Sequence, residues 1–190
     1  MYYGAYKNSR NASWQCLIDN KISELPVSLT TIARNSSVKV IKNSDANELQ
    51  PDESGISLLI GTEYFIVYDD TQSKGRCRFT IAHELGHIFL GHLLIDSKGA
   101  RTFDTSRPQI EQEADVFAAR LLAPACVLWG LGLKTPEQIS KVCEISYTAA
   151  KIRAERMELL YKRNKFLTSS LERKVFDNFK DFIDKNKAKD

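Results

Sequence analysis

Every histidine of this 190-residue chain lies between positions 83 and 92, and two of them frame the run His83-Glu84-Leu85-Gly86-His87. Residues four apart on an α-helix differ by only about 40° around its axis, so both imidazoles project from one face. That spacing suits one Zn²⁺ ion, which takes imidazole nitrogen at roughly 2.0–2.1 Å. Glu84 stands beside the same face. It can reach a water at the metal rather than the metal itself, which is the place of a general base in metal-dependent hydrolysis. The neighbours Phe79, Ile81, Ala82, Leu85, Ile88, Phe89 and Leu90 make the helix apolar almost all round, so it is expected to be buried. Buried imidazoles and a buried carboxylate need partners, and a metal ion supplies them.

A third ligand has to come from elsewhere. One class of metalloproteases places a third histidine in the pattern His-Glu-x-x-His-x-x-Gly-x-x-His. Here Leu90 occupies the glycine position and His92 comes one residue too early. His92 therefore reads as a polar residue near the helix end. The other solution is a glutamate on a later helix, and the periodic segment Ile110–Leu122 carries Glu111, Glu113 and Asp115. At about 100° per residue, Ala114, Phe117, Ala118, Leu121 and Leu122 form one apolar stripe. Glu111 and Asp115 lie on its edge, whereas Glu113 points about 110° away from its centre. A carboxylate facing a buried metal must come from the apolar side, which selects Glu111 as the third ligand. Asp115, one turn later, is placed to accept a hydrogen bond from the second N–H of a ligand histidine. Glu113 is left to solvent. Ala114 and Ala118 are small enough to let this helix approach the histidine helix closely.

Two segments together resemble the ImmA/IrrE family of metallopeptidases. One is Arg78-Phe79-Thr80-Ile81-Ala82-His83-Glu84-Leu85-Gly86-His87. The other is Glu111-x-x-Ala114-Asp115-x-Phe117-Ala118-Ala119-x-Leu121-Leu122-x-Pro124. Ser9-Arg10-Asn11-Ala12-x-Trp14 and Leu25-Pro26 are similar to the phage and mobile-element members, so the resemblance covers about residues 8–160. It implies zinc held by His83, His87 and Glu111, with Glu84 catalytic. It also implies a protein substrate: a helix-turn-helix repressor, cut to release the genes it controls. The chain departs from the radiation-response members, which carry an extra C-terminal sensory domain where this chain has a short helical tail.

The elements that must position these residues are legible in outline. Residues 6–22 have helical spacing and end before Pro26, and Ser28 to Arg34 reads as a second short helix. Val38–Ile41 is a short β-branched strand. Ile56–Ile60 and Tyr64–Tyr68, around Gly61-Thr62, read as a β-hairpin. A polar loop, Asp69 to Gly75, leads into a motif helix over about 78–90 that Gly91 ends. Asp96 to Pro108 is a second polar loop, followed by the third-ligand helix at about 110–122, closed by Pro124. Thr135 caps a further helix whose first turn holds Pro136. Leu171, Val175, Phe176, Phe179, Phe182 and Ile183 mark an amphipathic last helix. The predicted class is α+β. A zincin-like metallopeptidase domain spans residues 1–165, with helices packed on a small sheet, and a C-terminal amphipathic helix spans 166–190. A Tyr64–Tyr68 strand at the sheet edge beside the zinc would accept an extended peptide as an added strand. For the oxyanion, Tyr147, Tyr64 and Arg78 all stand as candidates.

Composition sets the outer bounds. With 43% hydrophobic and 27% charged residues, the chain is neither disordered nor fibrous. No apolar run approaches the roughly 18–20 residues needed to cross a bilayer, and the N-terminus lacks the apolar core of a secretory signal. Cys16, Cys77, Cys126 and Cys143 are widely spaced, with no Cys-x-x-Cys pair. They read as reduced thiols of a cytoplasmic protein, not as disulfides or zinc ligands. Trp14 and Trp129 read as packing residues. The net charge is +3, yet residues 151–190 hold twelve Lys/Arg against seven Asp/Glu. Thr135 to Arg156 has a helix-turn-helix flavour. Ile139 and Val142 would pack on its first helix, Ala149, Ala150 and Ile152 on its second, with Lys151, Arg153 and Arg156 able to meet phosphates. The favoured reading is two helices bracing the metal domain, without direct nucleic-acid or membrane binding. The alternative function is a DNA-binding or repressor-binding regulator with a structural metal and no proteolysis. The intact Glu84 argues for the enzyme, because binding alone needs no base.

Overall fold

Local capping chemistry starts five of the chain's helices. In the computed structural model, which describes residues 8–94 and 108–187, Asn8 accepts from the N–H groups of Arg10 and Asn11 to cap α1 (Ser9–Asp19). Ser28 does the same through Thr31 for α2 (Leu29–Asn35). Then come β1 (Val38–Lys42), a one-turn α3 (Asn43–Ala46), β2 (Gly55–Ile60) and β3 (Glu63–Tyr68). The hairpin forms as expected, with Gly61 in the left-handed region at φ 62°.

The sheet order is β1-β3-β2: β3 lies in the middle, parallel to β1 and antiparallel to β2. Val40 pairs with Ile66 on one side and Ser57 with Ile66 on the other. Tyr64–Tyr68 is therefore not the edge strand that the sequence suggested, since β1 occupies its second ladder. The outer strand beside the histidine helix is β2.

That helix is α4 (Lys74–Leu90), and it begins a turn earlier than the apolar period indicates. Its first turn leans on a distant segment: a Cβ at Gly75 would meet the Ser146 nitrogen at 2.9 Å. Gly91 closes α4 at φ 78° and leads into a 3-10 turn, His92–Leu94. The polar loop expected over Asp96–Pro108 lies outside the described residues except for Pro108, where α5 (Pro108–Leu122) begins. Ala114, Phe117, Ala118, Leu121 and Leu122 are all buried, as the stripe required. The two helices approach closely at Gly86, where a Cβ would lie 3.2 Å from the Ala114 Cα and from Phe117.

Pro124 ends α5 and at once caps α6 (Ala125–Gly130), a buried helix whose apolar run carries no period to reveal it. Thr135 and Gln138 form a capping box on α7 (Pro136–Cys143), and Glu144 turns the chain into α8 (Tyr147–Lys162). Ile139 and Ala150 are buried in this pair, but Ile152, expected to pack, is 64% exposed. The C-terminal amphipathic segment forms two helices, α9 (Ser170–Asn178) and α10 (Lys180–Asn186), joined at Phe179. The core runs through α4 and α5. The sheet packs on α4, α1 crosses α5, and α9 covers α1 and α6. Among the described residues no helix is long and apolar enough to cross a membrane.

Candidate metal centre

Helices α4 and α5 bring His83, His87 and Glu111 to one point. The Nε2 atoms of His83 and His87 are 3.0 Å apart. Glu111 places Oε2 at 3.1 Å from His83 Nε2 and Oε1 at 3.5 Å from His87 Nε2. Zinc–ligand bonds of 2.0–2.1 Å in a tetrahedron leave its donors about 3.3 Å apart, so these spacings fit one small divalent ion. Among the described residues, these three form the one group of histidine, cysteine or carboxylate side chains close enough to share an ion.

The far side of each ring is also held. His83 Nδ1 lies 2.9 Å from Asp115 Oδ1, the carboxylate that α5 places one turn after Glu111. His87 is 1% exposed at its side chain, and its Nδ1 lies 3.0 Å from Nδ1 of His92. His92 in turn has its Nε2 3.3 Å from Glu113 Oε2. Both rings thus turn Nε2 towards Glu111. The sequence reading left His92 as a polar residue near the helix end and Glu113 to solvent; the structure adds that His92 is buried, while Glu113 keeps 42% of its side chain exposed and comes within reach of His92. The αL turn at Gly91 folds His92 back beneath His87, where it is buried and within reach of Glu113.

Electrostatics follow the same geometry. Burial by itself would push His83 down. Its hydrogen bonds with Asp115 and Glu111, and the charge of Glu84, outweigh that and push it up to about 9. Burial works to raise Glu111, but the two histidines pull it down to about 2. His92 is lowered by burial and by the charge of His87. A site with this concentration of carboxylate around two imidazoles attracts cations.

Glu84 is 5% exposed, and Ser57 on β2 donates to its Oε2 at 2.5 Å. Glu84 lines a cavity of about 400 Å³, and Ser57 stands behind it. The cavity is also lined by Ser54 and Gly55 at the start of β2, and by Phe79, Thr80 and Arg76 of α4. Sequence reasoning missed Arg76 because it precedes the apolar period. It also missed Ser57, although a lone hydroxyl in the strand Ile56-Ser57-Leu58-Leu59-Ile60 was a usable signal. The three oxyanion candidates do not line the cavity. Tyr147 is exposed and donates to Glu137, and Arg78 donates to the Val27 carbonyl. Arg153, which only the alternative DNA-binding reading offered to phosphates, is buried and donates to the Ala123 carbonyl, as suits helices that brace the domain.

A family model, Peptidase_M78, described as the IrrE N-terminal-like domain, matches residues 33–155. The matched span contains the sheet, α4, α5 and every residue of the cluster. No curated protein matches the chain.

Proposed function

The chain belongs to the IrrE N-terminal-like family of peptidases, and from that membership we propose that it is a zinc-dependent endopeptidase. Its substrate on this reading is a helix-turn-helix repressor in the cytoplasm, cut so that the mobile-element or phage genes under its control are released. The spacing of three donors carries the proposal: Nε2 of His83, Nε2 of His87 and the carboxylate of Glu111, 3.0–3.5 Å from one another. These residues would hold the ion, and Asp115 and His92 would fix the two rings.

The ion, when bound, supplies Lewis acidity and lowers the pKa of a coordinated water. Glu84 takes a proton from the attacking water and returns it to the leaving amine. Ser57 fixes the orientation of that carboxylate. Arg76 is the cation in the cavity wall and can donate to a peptide carbonyl or a developing oxyanion. The strand β2 begins at the cavity and is outermost among the described residues, so its outer edge can take an extended peptide as an added strand.

Metal analysis of the purified chain, with incubation against the repressor encoded beside it, tests the reading. About one zinc per chain and a discrete cut in the repressor are expected. Glu84→Gln should keep the zinc and lose the cut. If Glu84→Gln releases the repressor's genes as well as the wild type does, proteolysis is not the function and binding alone is.

A further inference from the structure

A second cavity, of about 550 Å³, opens at the other end of α5, walled by α1, α5, α8 and the approach to α9. Six cations line it: Arg10, Arg120, Arg153, Arg156, Arg163 and Lys165. One carboxylate, Glu172, faces them, and the Thr168 N–H already donates to it at 2.9 Å. Among the described residues none of the six cations forms an ion pair.

Arg153 is the informative member. It is 5% exposed, one of its nitrogens donates to the Ala123 carbonyl, and its Nε and Nη1 have no partner. A guanidinium carries five donors and is seldom buried unless paired. Leaving such donors unmet costs their full desolvation. Trp14, also buried and also in the wall, has an unpartnered Nε1, while Arg10 lies 4.9 Å over its ring. Arg120 is held below its ordinary value by burial and then by the like charges of Arg156 and Arg10, so the cluster does not neutralise itself.

We propose that this cavity binds a small anion carrying two or more phosphate groups. Arg153 and Trp14 wall this cavity with donors that no protein group meets, and a cavity of this size suits a compact anion where a rigid duplex backbone does not fit. Guanidinium forks match phosphate oxygens in pairs, and six cations around one carboxylate call for more than a single charge. Helix α5 separates this site from Glu111 by the nine residues to Arg120, about 13 Å of rise. The proposal therefore stands independently of the metal centre.

Calorimetric titration of the full chain at about 150 mM salt tests it, where exposed charges are screened beyond about 8 Å. The probes are tripolyphosphate, a nucleoside triphosphate, inorganic phosphate and a 20-base-pair DNA duplex. Saturable one-to-one binding of tripolyphosphate is expected, about tenfold or more tighter than inorganic phosphate. Tighter binding of the nucleoside triphosphate would support the site and show that it also reads the organic group. Arg156→Gln, at an exposed position where the fold should persist, and Arg153→Met should each weaken binding about tenfold. Lys39→Gln, on the sheet, should leave it unchanged. The proposal is overturned by an absence of saturable binding, or by binding that both arginine variants retain. It is equally overturned by a duplex that binds more tightly than tripolyphosphate and is lost with the same two substitutions.

Discussion

The two cavities flank opposite ends of α5 and treat buried charge in opposite ways. At the Glu111 end, His83 and His87 have both ring nitrogens engaged, by Asp115, His92, Glu111 and each other. At the Arg120 end, like charges face one another and buried guanidinium nitrogens meet no acceptor. The contrast follows from what each ligand requires. A small divalent ion demands fixed donor positions, which the chain's own hydrogen bonds can set in advance. A cluster of cations can be completed only from outside, by charge of the opposite sign.

Separating the two ends by mutation gives the largest expected effect. Glu111→Gln removes a charged donor from the metal cluster and should weaken zinc affinity more than about a hundredfold, beyond the usual cost of losing an outer partner. Its polyphosphate titration should match that of the wild type. If one substitution abolishes both, the two cavities are not independent and the comparison fails. His92→Ala comes next. It leaves all three donors in place but removes the group that orients His87. Zinc affinity, measured by chelator competition, should fall about 10–100-fold, and an unchanged affinity would show that burial alone fixes that ring. The third effect is one of stability. Arg153→Met replaces a buried, half-satisfied charge with an apolar chain of similar length. Thermal unfolding without added anion should show no loss, or a gain of about 1–2 kcal/mol. A clear loss would mean that the single bond to Ala123 outweighs the unmet donors.

What could be read from the sequence divides along a physical line. Relations within one helix are fixed by its period. Hence the pairing of His83 with His87, the edge position of Glu111 and Asp115, and the small face at Ala114 were all open to argument before any fold was known. Relations that depend on how the chain turns were not. His92 meets His87 only because Gly91 adopts φ 78°, and Glu113 matters only because His92 arrives there. Strand order is a tertiary outcome as well. Two apolar runs announce a hairpin, but nothing in them says that β1 will join β3 in parallel and leave β2 outermost. Arg153 is a different case. Its spacing from Ala150, Ala154 and Met157 puts it on the buried face of α8, which the period alone makes legible, while its charge points the other way, to a phosphate on the alternative reading.

The smallest effect concerns the base rather than the metal. Ser57 belongs to the sheet, not to either helix of the cluster, and it is fully buried with its hydroxyl on Glu84. A hydrogen bond to a charged group contributes about 1.5–3 kcal/mol, part of which Glu84 can recover through its other contacts. Ser57→Ala should therefore lower turnover of a protein substrate by about tenfold while leaving zinc content untouched. The pairing of measurements gives this test its force. If zinc affinity falls with Ser57→Ala as far as with His92→Ala, strand β2 supports the whole metal cluster rather than Glu84 alone. The histidine end would then owe its geometry to the sheet as much as to the two helices.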